Sequence, residues 1–445
     1  MRHPLAIIGA ALVTVSALLF LTVYGLELSG WHTNPYIGIV FFLMIPGVFA
    51  AGLLLIPIGV WLERRRRRRG EPPRRWPIVN FNDQRQRRVL GIVALLTIVN
   101  ILIVVLAAFR GVSYMDSVGF CGEVCHVVMQ PEFVSYQAGP HARVACVECH
   151  IGPGAPSFAR AKLSGLRQVY AVTFGTYSRP IPSPVHDMRP ARDTCEQCHW
   201  PEQFHGDSLR AFREYADDSS NSETVTVMRL HVGGGSPAAG PVRGIHWHTS
   251  VTNQIDYIAA DETRQVIPWV RLSTPAGTKE FMLKGASTVQ MKGDRRRMDC
   301  MDCHNRPSHT FARSASRAVD HAIANGDIDR SLPFVRRQAI IALNAEYQDR
   351  GTALGAIDKA LRSYYQQNHQ AIYGAQQLPI DRAVRTTQRL YELNVFPAMK
   401  VTWGTYANNL GHTDSPGCFR CHDDEHVAAD GSAIRQDCEL CHTME

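Results

Sequence analysis

Hydrophobic positions are spread very unevenly along the 445 residues. Leu5 to Leu26 gives 22 residues without a charge, Tyr36 to Leu62 gives 27, and Val89 to Phe109 gives 21. About 20 consecutive apolar residues cross a bilayer as a helix, so the pattern predicts three transmembrane spans. Pro46 and Pro57 interrupt the second. The first is long and lacks a small-x-small cleavage site, which favours a retained anchor over a removed signal peptide. Beyond Phe109 the long apolar runs stop. Thr224-Val-Thr-Val and Val266-Ile-Pro-Trp-Val-Arg-Leu have strand composition, with turn signals at Gly233-Gly-Gly-Ser and Pro275-Ala-Gly. They predict a small β insert. Ala312 to Tyr373 has helical periodicity, broken near Gly326 and Pro333 and again around Gly351.

Charge orients the spans. Arg64 to Arg69, Arg74, Arg75, Arg85, Arg87 and Arg88 lie between the second and third spans. Positive loops stay in the cytoplasm, so this loop is expected inside. Two spans precede it, which puts the amino terminus inside as well. The third span then delivers the chain to the periplasm. The net charge of +7 comes from the anchor: residues 1–88 hold 12 Arg against 4 acids, so the remainder is close to neutral. Nothing in the pattern points to nucleic acid; the lipid bilayer is the expected partner of the basic loop.

Cysteine supplies the chemistry. Cys146-Val-Glu-Cys149-His150, Cys195-Glu-Gln-Cys198-His199, Cys300-Met-Asp-Cys303-His304, Cys418-Phe-Arg-Cys421-His422 and Cys438-Glu-Leu-Cys441-His442 are C-x-x-C-H motifs, and Cys121-Gly-Glu-Val-Cys125-His126 has one more spacer residue. C-x-x-C-H is the c-type haem attachment sequence. Two thiols add to the haem vinyl groups and the following imidazole binds the iron. A zinc site would use two cysteine pairs per metal and need no histidine after each. Disulfides account for an even count but not for the histidines. The motifs use all 12 cysteines, so the expected cofactors are six covalent c-type haems, with their iron. Such attachment belongs outside the cytoplasm, in agreement with the arginine rule.

Six axial positions follow directly: His126, His150, His199, His304, His422 and His442. The opposite face of each iron needs a second ligand or stays open. Candidates for it are Met129, His141, His186, His246, His248, His309, His321, His412 and His426. His141 and His412 lie shortly before a haem motif, and His426 lies four residues after His422. His205, His231 and His369 are expected to be ordinary polar residues.

The stretch Phe120-Cys-Gly-Glu-Val-Cys-His-Val-Val-Met-Gln-Pro-Glu-Phe-Val-Ser-Tyr, followed by Gly139-Pro-His-Ala-Arg-Val-Ala-Cys-Val-Glu-Cys-His-Ile-Gly-Pro-Gly, resembles the NapC/NirT/NrfH family of membrane-anchored multihaem quinol dehydrogenases. The likeness covers about residues 90–205. The rest looks like the longer inner-membrane cytochromes of ImcH type, through Cys303-His-Asn-Arg-Pro-Ser-His309 and the segment from Gly411-His412 to Cys441-His442. The family's common anchor is a single helix and its first motif is usually C-x-x-C-H-x-M; here there are three spans, and both offsets are one residue longer. The resemblance implies quinol oxidation near the first haem, with menaquinol as the expected quinol, and with a lysine after the second motif in the site. Lys162 in Ala161-Lys-Leu-Ser-Gly matches that lysine, whereas no Asp or Glu occurs from Ile151 to His186 to match the family's acid. Proton-accepting candidates near that haem are Asp116, Glu123, Glu132 and His141, with Glu27 and His32 at the periplasmic end of the first span.

The sequence therefore predicts a three-helix transmembrane anchor plus a periplasmic multihaem cytochrome c domain in a bacterial inner membrane. That domain is expected to be mainly α and irregular, with the small β insert. The expected divisions are an anchor over 1–110 with its Arg-rich loop at 63–88, a tri-haem domain over 111–210, the β insert over 211–295, the fourth haem and a helical segment over 296–400, and a di-haem segment over 401–445. Electrons would pass to a periplasmic acceptor protein or to other subunits of a respiratory complex. Two other readings stay open. One is a relay subunit of a larger respiratory or photosynthetic complex, without a quinol site. The other is a terminal reductase of a small oxyanion, with one haem open to substrate.

Overall fold

A computed structural model describes residues 4–28, 45–69, 81–124, 126–152, 155–183, 190–234, 243–287, 290–413 and 415–445. His32, Cys125 and His186 lie outside the described residues. The chain forms two compact units, Met1–Val124 and Cys125–Glu445.

The first unit contains the helices α1 (Pro4–Leu28), α2 (Ile45–Arg68) and α3 (Gln84–Met115), then a short π-helical turn at Phe120–Val124. Two of these helices contain described stretches long and apolar enough to cross a membrane, Leu5–Thr22 and Ile45–Arg66. α1 and α2 pack antiparallel at very close range. A Cβ on Gly9 would stand 2.7 Å from the Gly52 carbonyl oxygen, and one on Gly59 would stand 2.7 Å from the Ala6 nitrogen. Small residues allow this approach, which suits helices whose association in lipid relies on van der Waals contact. Leu18, Leu19, Leu53, Leu54 and Trp61 point outward, as a lipid-facing surface requires. Thr14 and Thr22 return their hydroxyl protons to the carbonyls of Ala10 and Leu18, at 3.0 and 2.9 Å, so neither carries an unsatisfied donor into the bilayer.

The second unit combines helices and two antiparallel sheets. α4 (His126–Ala138), α5 (Cys146–His150), α6 (Ala155–Thr173), α7 (Ala191–Cys195) and α8 (Cys300–Cys303) lie in the haem-motif regions. The strands are β1 (Ser208–Tyr215), β2 (Glu223–Leu230), β3 (Gln254–Ile258), β4 (Trp269–Thr274), β5 (Gly277–Leu283), β6 (Arg295–Arg297), β7 (His426–Ala428) and β8 (His442–Met444). One sheet has the order β1-β2-β8 and the other β6-β3-β4-β5-β7. The β insert is thus present, and the C-terminal segment is sewn into it. β7 pairs with β5 through His426 opposite Leu283, and β8 pairs with β2 through His442 opposite Leu230.

The largest core lies in the helices α9 (Ala315–Ala324), α10 (Val335–Asn344), α11 (Arg350–Asn368), α12 (Gln370–Ala375) and α13 (Gln377–Asn394). Ala353, Ile357, Leu361 and Tyr365 repeat every four residues along α11 and are essentially inaccessible, which is the single apolar stripe of a packed helix. They meet Leu332, Val335, Ala339 and Leu343 on one side and Ile380, Val384 and Tyr391 on the other. The expected breaks fall where they should. Gly326 follows α9 at φ 78°, and Asp349 caps α11 by accepting from the Thr352 N–H at 2.9 Å. The bundle runs on to Asn394, beyond the Tyr373 limit read from periodicity.

Candidate functional site

Four motif histidines sit at the end of a short helical turn or just beyond it. α5 ends in His150, α8 leads to His304, and 3-10 turns at Gly417–Arg420 and Cys438–Leu440 lead to His422 and His442. Asp299 caps α8 in a reciprocal box with Asp302: its carboxylate accepts from the Met301 N–H at 2.8 Å, and its own backbone N–H donates to the Asp302 carboxylate at 2.8 Å.

Five of the six motif histidines face a second histidine from a distant part of the chain. The ring centroids of His150 and His309 are 6.2 Å apart, of His199 and His141 6.1 Å, of His304 and His246 6.5 Å, of His422 and His248 5.8 Å, and of His442 and His412 6.1 Å. Two imidazoles on opposite sides of one metal ion, each with a metal–nitrogen bond of about 2.0 Å and a further ~1.1 Å to the ring centre, would be about 6.3 Å apart. The observed separations match that geometry.

Hydrogen bonds set the tautomers to suit. Nδ1 of His309 donates to the Glu132 carbonyl oxygen at 2.8 Å, of His141 to Pro307 at 3.1 Å, of His246 to Val232 at 2.7 Å and of His248 to Ile245 at 2.8 Å. A carbonyl only accepts, so Nδ1 carries the proton and Nε2 keeps its lone pair. Burial also favours the neutral ring. It lowers the pKa of His150, His246, His248 and His304, and it brings His309 down to about 4. The donor set, its spacing and its protonation fit covalently attached haem with two imidazoles per iron. Zinc is not supported: among the described residues no group of three or more His, Cys, Asp or Glu converges on one point.

The pairs interlock. His246 and His248 share one 3-10 turn, Ile245–Thr249, yet they face the fourth and fifth motifs respectively. His141 precedes the second motif but faces the third, and its carbonyl partner Pro307 lies two residues before His309, which faces the second. The Ala191 N–H donates to Asp299 at 3.3 Å, joining the third and fourth motif regions. Asn409 and Arg420 both donate to the Asp302 carbonyl, at 3.0 and 2.6 Å, joining the fourth and fifth. These contacts join the second, third, fourth and fifth motif regions to one another.

Two of the expected distal candidates are engaged otherwise. His426 is fully buried, with Nδ1 2.9 Å from Asp423 and Nε2 2.6 Å from the Ile267 carbonyl oxygen. Neither nitrogen is left for a metal. His321 is exposed on α9, with Nδ1 3.2 Å from Asn325 Nδ2. Their proximity to a motif in sequence did not decide the matter; partners came from loops up to 174 residues away, as between His422 and His248. Of the three set down as ordinary, His231 contacts Asp207 at 3.1 Å and His369 contacts Tyr364 at 3.2 Å.

The quinol-site candidates are spread over both units. Asp116 follows α3 and is half-buried, and Glu123 is exposed in the π-helical turn. Met129 and Glu132 are on α4, and Lys162 is on α6. Glu132 is buried against Arg306, with Oε1 3.3 Å from Nη2, and burial raises its pKa. Arg306 also donates to the His309 carbonyl at 2.7 Å and lies 3.9 Å over the ring of Tyr406 and 5.0 Å over that of Phe311. This buried guanidinium was not singled out from the sequence. Its only signal was its place between two histidines in His304-Asn-Arg-Pro-Ser-His309.

Comparison with known proteins agrees with the geometry. Residues 83–181 match the model of the NapC/NirT cytochrome c family, N-terminal region. The chain is 41% identical to the cytochrome c-type protein ImcH of Geobacter sulfurreducens, over 99% of this chain and 88% of that one. It is 30% identical to the cytochrome c-type protein NrfH of Wolinella succinogenes, over 21% of this chain and 53% of that one. No solved structure matches.

Proposed function

The chain belongs to the NapC/NirT-related, ImcH-like family of membrane-anchored c-type cytochromes, and from that premise we propose that it oxidises quinol at the periplasmic face of the inner membrane and hands the electrons to a periplasmic acceptor. The observation that carries this reading is the set of five imidazole pairs in a chain that also carries a membrane anchor. Bound haem supplies one-electron acceptor and donor chemistry at each such position.

The residues divide as follows. All 12 cysteines attach six haems. His150/His309, His199/His141, His304/His246, His422/His248 and His442/His412 are the axial pairs of the second to sixth. His321 and His426 are left out of the ligand set. His126 opens α4 and Met129 follows it by three residues on the same helix, which is the spacing of neighbours on one helix face. His126 and Met129 are the candidate ligands of the first haem.

Lys162 is the proposed hydrogen-bond donor to a quinol oxygen. Asp116 and Glu123, close to the end of α3, are the proposed proton acceptors, with His32 as the alternative on the other periplasmic loop. Glu132 is engaged with Arg306, which makes it a support for the His309 loop. α3 is proposed as a third span, with the arginine loop inside and the haem domain in the periplasm. Menaquinol is the proposed quinol.

The test compares parent protein and Lys162→Ala under quinol and under dithionite. The variant is expected to be reduced more slowly by quinol and normally by dithionite, which needs no quinol site. Equal quinol rates would remove Lys162 from the site. No reduction of the parent by quinol, with normal dithionite reduction, would favour a relay subunit.

A further inference from the structure

α6 differs from every other long helix of the second unit. Leu163, Leu166, Val169, Tyr170 and Phe174 are 50–70% exposed, and the half-buried positions around them, Ala161, Gly165 and Ala171, are small. Leu163, Leu166 and Tyr170 follow helical spacing, so they stand on one face. Tyr170 and Phe174 extend that face, their ring centroids 4.7 Å apart. The helices α9 to α13 instead bury their apolar stripes in the bundle core. A run of large apolar side chains left outside a soluble surface marks a contact with something else.

The charges say what that is. α6 carries Arg160, Lys162 and Arg167, and no Asp or Glu occurs from Ile151 to His186. A helix with leucine and aromatic residues on one face, basic residues beside it and no acids has the composition of a helix lying in the headgroup layer of a membrane. Tyrosine favours that depth because its ring is apolar and its hydroxyl wet. The same chain supplies the bilayer. α3 ends at Met115, and α6 begins at Ala155, about forty residues later.

We infer that α6 is an interfacial helix whose Leu163–Leu166–Tyr170–Phe174 face sinks into the outer leaflet of the anchoring membrane, with Arg167 at the lipid phosphates. The occupant of this surface is anionic phospholipid. The inference goes beyond the quinol reading, because lipid contact is measured whether or not quinol reduces the protein.

The experiment uses the full-length haem-loaded protein in nanodiscs containing phosphatidylglycerol and a phospholipid with a diazirine in its acyl chain. After illumination, peptides are mapped by mass spectrometry. Peptides covering 163–179 should carry label together with those of α1, while peptides of α13 should carry none. In Leu166→Glu/Tyr170→Glu, label on 163–179 should fall severalfold while α1 labelling and haem content are kept. If the double variant loses haem, the parent map alone decides. Label on α1 with none on 163–179 in the parent would overturn the inference. So would cross-links from 163–179 to a second copy of the chain, which would assign the face to self-association.

Discussion

Replacing His248 with alanine separates axial ligation from ordinary packing. His248 faces His422 at 5.8 Å between ring centroids, and its Nδ1 donates to the Ile245 carbonyl at 2.8 Å. If the pair straddles an iron, the variant leaves that iron with His422 alone. A second imidazole makes a haem low-spin, and an open position makes it high-spin. One haem should therefore change, so that one haem's share of the low-spin electron paramagnetic resonance signal is lost and the high-spin signal grows by as much. His248→Gly should regain the low-spin signal when imidazole is added. The structural cost is small, about 1 kcal/mol for one neutral hydrogen bond. His426→Ala is the opposite case. It strands the buried Ile267 carbonyl, while Asp423 keeps the Glu425 and residue-426 backbone N–H bonds; this costs about 1–3 kcal/mol and should leave every haem spectrum unchanged. The reasoning is refuted if His248→Ala keeps the full low-spin signal, or if His426→Ala creates a high-spin haem.

Further outcomes follow from the same geometry. The rings of His246/His304 and His412/His442 are 9° and 24° from parallel, whereas those of His248/His422 and His141/His199 are 84° and 74° apart. Parallel imidazoles split the iron d orbitals unequally and perpendicular ones leave them nearly degenerate, so the oxidised protein should show both rhombic and large-gmax low-spin signals; a single rhombic species would contradict the ring geometry. Leu361→Ala in the bundle should lower stability by about 2–5 kcal/mol, read as a fall in the unfolding midpoint without spectral change. Arg306→Gln leaves Glu132 buried without its cation and should cost about 3–5 kcal/mol, with a perturbed signal from the haem that His309 serves; an unchanged midpoint would show that the ion pair is not what holds the loop.

Local patterns and long-range pairings were not equally legible. The cysteine spacings, the apolar runs, the β insert and the breaks at Gly326 and Asp349 are local, and periodicity, turn chemistry and motif spacing each report on a few neighbouring residues. Partner choice is not local. His309 reaches the second motif and His141 the third because the loops carrying them are held together through Pro307, Glu132 and Arg306, and no spacing encodes that. Sequence proximity favoured His426, but β7 turns its ring into the sheet, where Ile267 and Asp423 take both nitrogens. The exposed face of α6 was also hidden. An apolar stripe reads the same whether it meets a protein core or a lipid surface; only its exposure separates the two.

The central claim is that a membrane-anchored cytochrome takes electrons from quinol. Its most direct test is anaerobic mixing of the full-length protein in nanodiscs with a menaquinol analogue, followed by optical haem absorbance. The account predicts that haem is reduced with two electrons gained per quinol consumed, and that the process slows when Lys162 is replaced by methionine while dithionite still reduces the protein fully. A parent protein that dithionite reduces and quinol leaves oxidised would contradict it.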